Sequence, residues 1–151
     1  MLRIARLTDY AALLLARMAE SRPEARSAAA LAALAGIEAP TAAKVLKTLA
    51  QAGLVASRRG AAGGYRLARD PSSITMADVV AAMEGPIGMT ECVVHEGACG
   101  HEGQCRTRAN WRRISVAIEA ALRAVTLADM LPRTESRRIP VRMLSADAGE
   151  A

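Results

Sequence analysis

Phenylalanine is absent from the 151 residues, and aromatic side chains make up 2% of them, one Trp and two Tyr. Proteins that hold single-stranded nucleic acid do so largely by stacking bases on aromatic rings, so that mode of binding is disfavoured. Long apolar runs are also missing. No stretch approaches the roughly 20 consecutive apolar residues that a membrane-spanning helix needs, which argues against a membrane partner. Cysteine is scarce at three residues, and an odd number does not read as a disulfide framework. With no secretory leader read at the start, the expected compartment is the reducing cytoplasm, where thiols persist. Acidic side chains are outnumbered, 15 Asp and Glu against 20 Lys and Arg, leaving a net charge of +5. Such a balance permits a polyanionic partner. With so few aromatics, duplex DNA gripped through phosphates and groove edges fits better than a single strand. The length suits one domain with a modest core, or a small domain plus a dimerisation element.

All three cysteines, and both histidines, fall in one stretch, Cys92-Val-Val-His95-Glu96-Gly97-Ala-Cys99-Gly-His101-Glu102-Gly-Gln-Cys105. Buried structural cysteines scatter through cores, whereas these stand among Gly, Glu and His. Thiolates bind zinc or iron–sulfur clusters, and glycines let a short loop fold round a metal centre. Cys92, Cys99 and Cys105 are therefore candidate metal ligands. A thiol oxidoreductase would want Cys-x-x-Cys, which is absent, and no other catalytic arrangement is visible, so an enzyme is not expected.

The rest of the chain reads as mainly α. Residues 4–20 predict a helix, with Ala11, Leu14, Leu15 and Met18 at helical spacing and Ser21-Arg22-Pro23 as the stop. Ser27 predicts the N-cap of a second helix over 28–35, with Leu31 and Leu34 as its buried pair and Gly36 as its end. A third helix begins at Pro40 and runs to Ala52, with Val45, Leu46 and Leu49 inward and Thr41, Lys44, Lys47 and Thr48 on the polar face. Two short helices joined by a glycine turn form a helix-turn-helix. Residues 54–68 then hold two strand-like runs around a glycine-rich turn, with Arg58 and Arg59 at its entrance. A hairpin placed there is the wing of a winged helix, whose tip arginines reach phosphates or a narrow minor groove. No Lys-Ser/Thr follows Gly63-Gly64, so a nucleotide phosphate loop is not favoured. Pro71 opens a linker, and Thr75 with Asp78 predicts a capping box for a fourth helix ending at Glu84-Gly85-Pro86.

After the cysteines, Trp111, Ile114, Ile118, Ala121 and Val125 repeat at three- and four-residue spacing, a coiled-coil-like seam. A chain this small has little left to cover such a stripe. Packing on the same helix of a second copy is the natural solution, alongside intramolecular packing on the first helix. The expected organisation is a winged helix-turn-helix with a two-stranded β wing over 1–86, a cysteine loop over 87–106, a long dimerisation helix over 107–131 and a disordered tail over 132–151.

Leu7-Thr8-Asp9-Tyr10, Gly53-Leu54-Val55, Arg59-Gly-Ala-Ala-Gly-Gly-Tyr65 and the cysteine loop followed by Asn110-Trp111-Arg112 together resemble one family. It is the winged-helix repressor family that includes the iron–sulfur assembly regulator IscR and the nitric oxide sensor NsrR. Thr90-Glu91-Cys92 and Asn110 to Ile114 look most like regulators of SUF iron–sulfur assembly operons. The resemblance, covering about residues 1–131, implies a homodimer with crossed long helices and a 2Fe-2S or 4Fe-4S cluster on Cys92, Cys99 and Cys105. IscR-like members place a histidine ligand where this chain has Arg108, which cannot ligate. NsrR-like members use the aspartate of the Thr-Asp-Tyr motif from the other subunit. The resemblance therefore favours Asp9 as the fourth ligand, ahead of His95, His101 and Glu91.

By position in the same family, Thr41 and Lys44 are expected at base edges, Lys47 at phosphate and Arg59 in the minor groove, on an inverted-repeat operator. The function implied is an iron–sulfur-dependent repressor of iron–sulfur assembly genes. The alternatives are a nitric oxide or redox sensing repressor of the same family, or a structural zinc protein completed by His95 or His101.

Overall fold

A computed structural model describes residues 3–20, 24–60 and 63–132. The expectations for residues 21–23, and for the tail from residue 133 onward, lie outside these. Among the described residues, six α-helices and one hairpin follow in the order α1 Arg6–Glu20, α2 Ala28–Ala35, α3 Ala39–Gln51, β1 Val55–Arg58, β2 Gly64–Leu67, α4 Met76–Glu84, α5 Glu91–Val94 and α6 Arg108–Arg123.

The core lies among α1 to α4. α1 turns Ala11, Leu14, Leu15 and Met18 inward, and α3 adds Ala42, Val45, Leu46 and Leu49, all buried. Burial of aliphatic side chains of this kind contributes about 1.5–3 kcal/mol each relative to exposure. Ser27 caps α2 as expected, accepting from the Ala30 N–H at 3.1 Å, and Gly36 ends the helix in the left-handed conformation at φ +65°. The helix pair α2–α3 bends by 112° at this turn, within the range of helix-turn-helix units. No single helix among the described residues is long and apolar enough to cross a membrane.

One expectation for α2 fails. Leu34 is 44% exposed, and Ala32 is buried beside Leu31 in its place. The packed face runs through Ala28, Leu31, Ala32 and Ala35, the regular i, i+3, i+4, i+7 stripe. Leu34 falls off that stripe.

The hairpin pairs β1 with β2 antiparallel, Val55 opposite Leu67 and Arg58 opposite Gly64. A short extended segment joins it: Arg26 bridges Tyr65, its N–H donating to the Tyr65 carbonyl at 3.0 Å and its carbonyl accepting from the Tyr65 N–H at 2.8 Å. A Cβ on Gly64 would stand 2.5 Å from the Arg26 carbonyl oxygen, so only glycine admits this approach. Pro71, expected in a linker, is buried at the head of a 3-10 turn, Pro71–Ser73, which Asp70 caps by accepting from the Ser72 N–H. Thr75 and Asp78 form the expected capping box of α4.

α6 packs on α4 and α5. The first helix instead meets the 3-10 turn Leu127–Met130 that follows α6. Val125, the expected end of the seam, lies beyond the helix, where its carbonyl accepts from the Met76 N–H at 2.9 Å.

Candidate metal loop and nucleic-acid face

The cysteine stretch has more local order than a glycine-interrupted loop suggests. Cys92 sits in the single helical turn α5, Cys99 between two turns, and Cys105 at the end of a 3-10 turn, Glu102–Gln104. Both ends are tied to α6. The Ser115 hydroxyl is buried, accepts from the Met89 N–H at 3.0 Å and donates to the Trp111 carbonyl at 2.9 Å. At the other end the Arg108 N–H reaches the Cys105 carbonyl at 3.5 Å.

The three cysteines are free thiols, each half-buried. Two stand beside threonine hydroxyls: Cys92 Sγ is 3.3 Å from Thr90 Oγ1, and Cys105 Sγ is 3.3 Å from Thr107 Oγ1. The Thr107 hydroxyl, then the Thr107 backbone N–H, with smaller help from Arg108, hold the Cys105 thiol below its ordinary range. That favours the thiolate, the form that binds metal. The donor set, three thiols in a glycine-containing loop, fits a soft metal or cluster by its chemistry. Among the described residues no three His, Cys, Asp or Glu side chains are gathered closely enough to hold a metal ion. A cleft of about 230 Å³ is lined by Cys92, Val93, Val94, Glu96, Arg108 and Arg112.

Asp9 stands exposed in the first turn of α1. It lines a different and larger cleft of about 770 Å³, with Thr8, Met76, Val79, Glu84, Leu122 and Met130 among its walls. Within one chain, then, Asp9 and Cys92 face separate clefts. The entry of α1 is fixed by Glu84 at the end of α4, whose Oε1 accepts from the Ala5 N–H at 3.0 Å and from the buried Thr8 hydroxyl at 2.6 Å. Sequence reasoning missed this partnership, because 76 residues separate Thr8 from Glu84. His95, His101 and Glu91, the other candidate ligands, are all exposed.

Lys44 and Lys47 project exposed from α3, Thr41 is half-buried near its start, and Arg58 and Arg59 stand exposed at the wing. The Thr48 hydroxyl donates back to the Lys44 carbonyl at 3.3 Å, which occupies its one proton within the helix. On α6, Trp111 and Ile114 are 39% and 42% exposed, and Val116, which lies off the expected seam, is 61% exposed. Ile118 and Val125 are half-buried and Ala121 is exposed.

Comparison with known proteins bears on the fold and the family. The chain is 36% identical over 99 residues to the HTH-type transcriptional regulator IscR of Vibrio campbellii, a stretch covering 66% of this chain and 58% of that protein. IscR of Escherichia coli K12 is 32% identical over 105 residues, covering 70% of this chain and 64% of the relative. The chain thus spans about three fifths of the length of these relatives. Among solved structures, the global cysteine regulator CymR of B. subtilis superposes with a TM-score of 0.66 at 30% identity, covering 86% of this chain and 96% of that one. IscR of T. potens gives 0.64 at 28% identity, covering 85% of each. A family model described as "Iron-dependent Transcriptional regulator" matches residues 4–133. The winged helix, the long helix and this match place the chain in the Rrf2 family, a family of transcriptional regulators rather than enzymes.

Proposed function

We propose that the protein is a cytoplasmic DNA-binding transcriptional repressor of iron–sulfur cluster assembly genes, acting as a homodimer whose operator affinity follows an iron–sulfur cluster. The observation that carries this reading is the set of three free thiols, Cys92, Cys99 and Cys105, at the head of α6 in an Rrf2 chain. These three would hold the cluster, with Asp9 from a second copy of the chain as the fourth ligand. The 2Fe-2S or 4Fe-4S group supplies a redox- and oxygen-sensitive centre when bound. Everything else is done by the chain. Lys44, with Thr41, meets base edges in the major groove. Lys47, Arg58 and Arg59 hold phosphates and the minor groove beside the wing, across an inverted repeat that matches the two-fold of the dimer. Held there, Asp9 would tie the two α1 helices, and with them the two copies of α3, to the dimer axis. Coupling of this kind is typically worth about 1–3 kcal/mol.

Anaerobic purification tests the reading. The expected protein is brown, absorbs in the visible, and contains iron and sulfide. Replacing Cys92, Cys99 or Cys105 by Ala removes the colour and leaves the dimer folded. Stoichiometric zinc without sulfide identifies a structural zinc site instead. A cluster that nitric oxide or peroxide destroys, with release of genes other than assembly genes, identifies a sensing repressor of other targets.

A further inference from the structure

Arg108 has no ligating atom to offer a metal, yet it opens α6 directly after the cysteine loop. Its Nη2 lies 3.6 Å from Glu96 Oε1 and 3.6 Å from Glu102 Oε2. The two carboxylates differ in setting. Glu96 is 90% exposed, so water screens that pairing; Glu102 is 13% exposed. Glu102 also has a second task. Its two carboxylate oxygens accept from the Gly97 N–H at 3.1 and 3.0 Å. Gly97 sits at φ +84°, a conformation that glycine adopts without strain.

A continuous line of contacts therefore runs from the Gly97 amide through the Glu102 carboxylate to the Arg108 guanidinium. It crosses the loop from the middle of the Cys92–Cys99 segment to the first turn of α6. Cys99 lies between Gly97 and Glu102, and Cys105 between Glu102 and Arg108. The same two residues grip the cysteine backbones: the Glu102 N–H donates to the Cys99 carbonyl at 3.2 Å, and the Arg108 N–H to that of Cys105. The half-buried guanidinium supplies the charge that keeps the Glu102 carboxylate in place.

We propose that Arg108, acting through Glu102, is a positioning residue for the metal loop. It closes residues 97–108 against the head of α6 before metal arrives, so that Cys99 and Cys105 are presented together rather than gathered from a mobile segment. A loop ordered beforehand loses less conformational entropy on capturing its metal. This rests on the metal-loop reading above, but the closure itself belongs to the metal-free chain.

Amide hydrogen exchange of the full-length metal-free protein, followed by mass spectrometry over residues 96–104, tests the closure. Arg108→Ala and Glu102→Gln are expected to speed exchange of that segment about tenfold. Arg108→Lys should retain most of the protection, Glu96→Gln should match the parent, and segments in α1 to α4 should stay protected in all four. In anaerobically purified protein, iron loss to a chelator should accelerate several-fold in the first two variants and not in the last two. Unchanged loop exchange in Arg108→Ala, or an equal change in Glu96→Gln, overturns the proposal. A parent protein without iron or sulfide overturns the metal reading instead, and the exchange rates still decide whether Arg108 closes the loop.

Discussion

At the scale of residues, Asp9 is the one on which the ligand proposal turns. As a mere charge in the first turn of α1 it would contribute about 0.3–1 kcal/mol of helix stability. As a ligand it does more: Asp9→Ala is expected to alter the visible spectrum, speed iron loss in air and leave operator affinity at its cluster-free value. An unchanged spectrum with cluster-dependent binding retained would transfer the role to His95, His101 or Glu91, to be replaced in turn. The DNA face separates in the same way. Lys47→Ala should weaken binding to cognate and random duplex alike, as a phosphate contact does. Lys44→Ala should cost about 1–3 kcal/mol mainly at the cognate operator, measured by fluorescence anisotropy at fixed salt. Equal losses on both duplexes would make Lys44 a phosphate contact only. Ser27, Thr75 and Asp78 cap where the sequence expects because capping is local. Cys92, Cys99 and Cys105 share one loop by their spacing, and all three are free thiols. Glu84 holding Thr8, and Arg26 bridging Tyr65, join residues far apart in the chain, which no local pattern shows.

Among the elements, pattern reading succeeded where apolar and polar residues alternate clearly and failed where they do not. α1, α3 and α6 each have one apolar stripe, and α4 carries its own cap. α2 is Ala-Ala-Ala-Leu-Ala-Ala-Leu-Ala, apolar on every side, so composition alone cannot say which face is packed. The structure chooses Leu31 and leaves Leu34 to solvent. Leu31 is fully buried, so Leu31→Ala is expected to destabilise by about 2–5 kcal/mol. Leu34→Ala should stay within about 0.5 kcal/mol, as exposed substitutions do. Urea unfolding of the two variants distinguishes them, and equal losses would mean that Leu34 is covered in solution. The seam on α6 shows the same limit in another form. Its regular spacing continues to Val125, but the helix stops at Arg123 and the next residues turn back to pair with the segment leading into α4: the Leu127 N–H donates to the Ile74 carbonyl at 2.7 Å, and Thr126 bridges Thr75. A local period carries no information about a bond formed 53 residues away.

For the whole molecule, one chain leaves two things unfinished. Among the described residues its cysteines are not drawn together into a set of three metal donors, and its long helix keeps Trp111, Ile114 and Val116 in water. The proposed dimer addresses the second directly: an apolar face on α6 that meets its own equivalent is self-complementary, as a two-fold interface requires. On the proposed function it would also carry Asp9 of one subunit to the cysteine loop of the other. Ile114 is the informative position because it is 42% exposed in the single chain. A charge there is tolerated by the isolated fold and is costly only if the face is covered, since an unpaired charge buried in an apolar contact loses its hydration. Ile114→Glu is therefore expected to yield a folded monomer by light scattering, with circular dichroism close to the parent and a urea midpoint that no longer rises with protein concentration. It should lose preference for an inverted repeat over a single half-site, because two tethered reading heads are what make the second contact nearly intramolecular. A dimer that persists in Ile114→Glu at micromolar concentration would place the interface elsewhere than on this face of α6, and the cross-subunit role of Asp9 would fall with it.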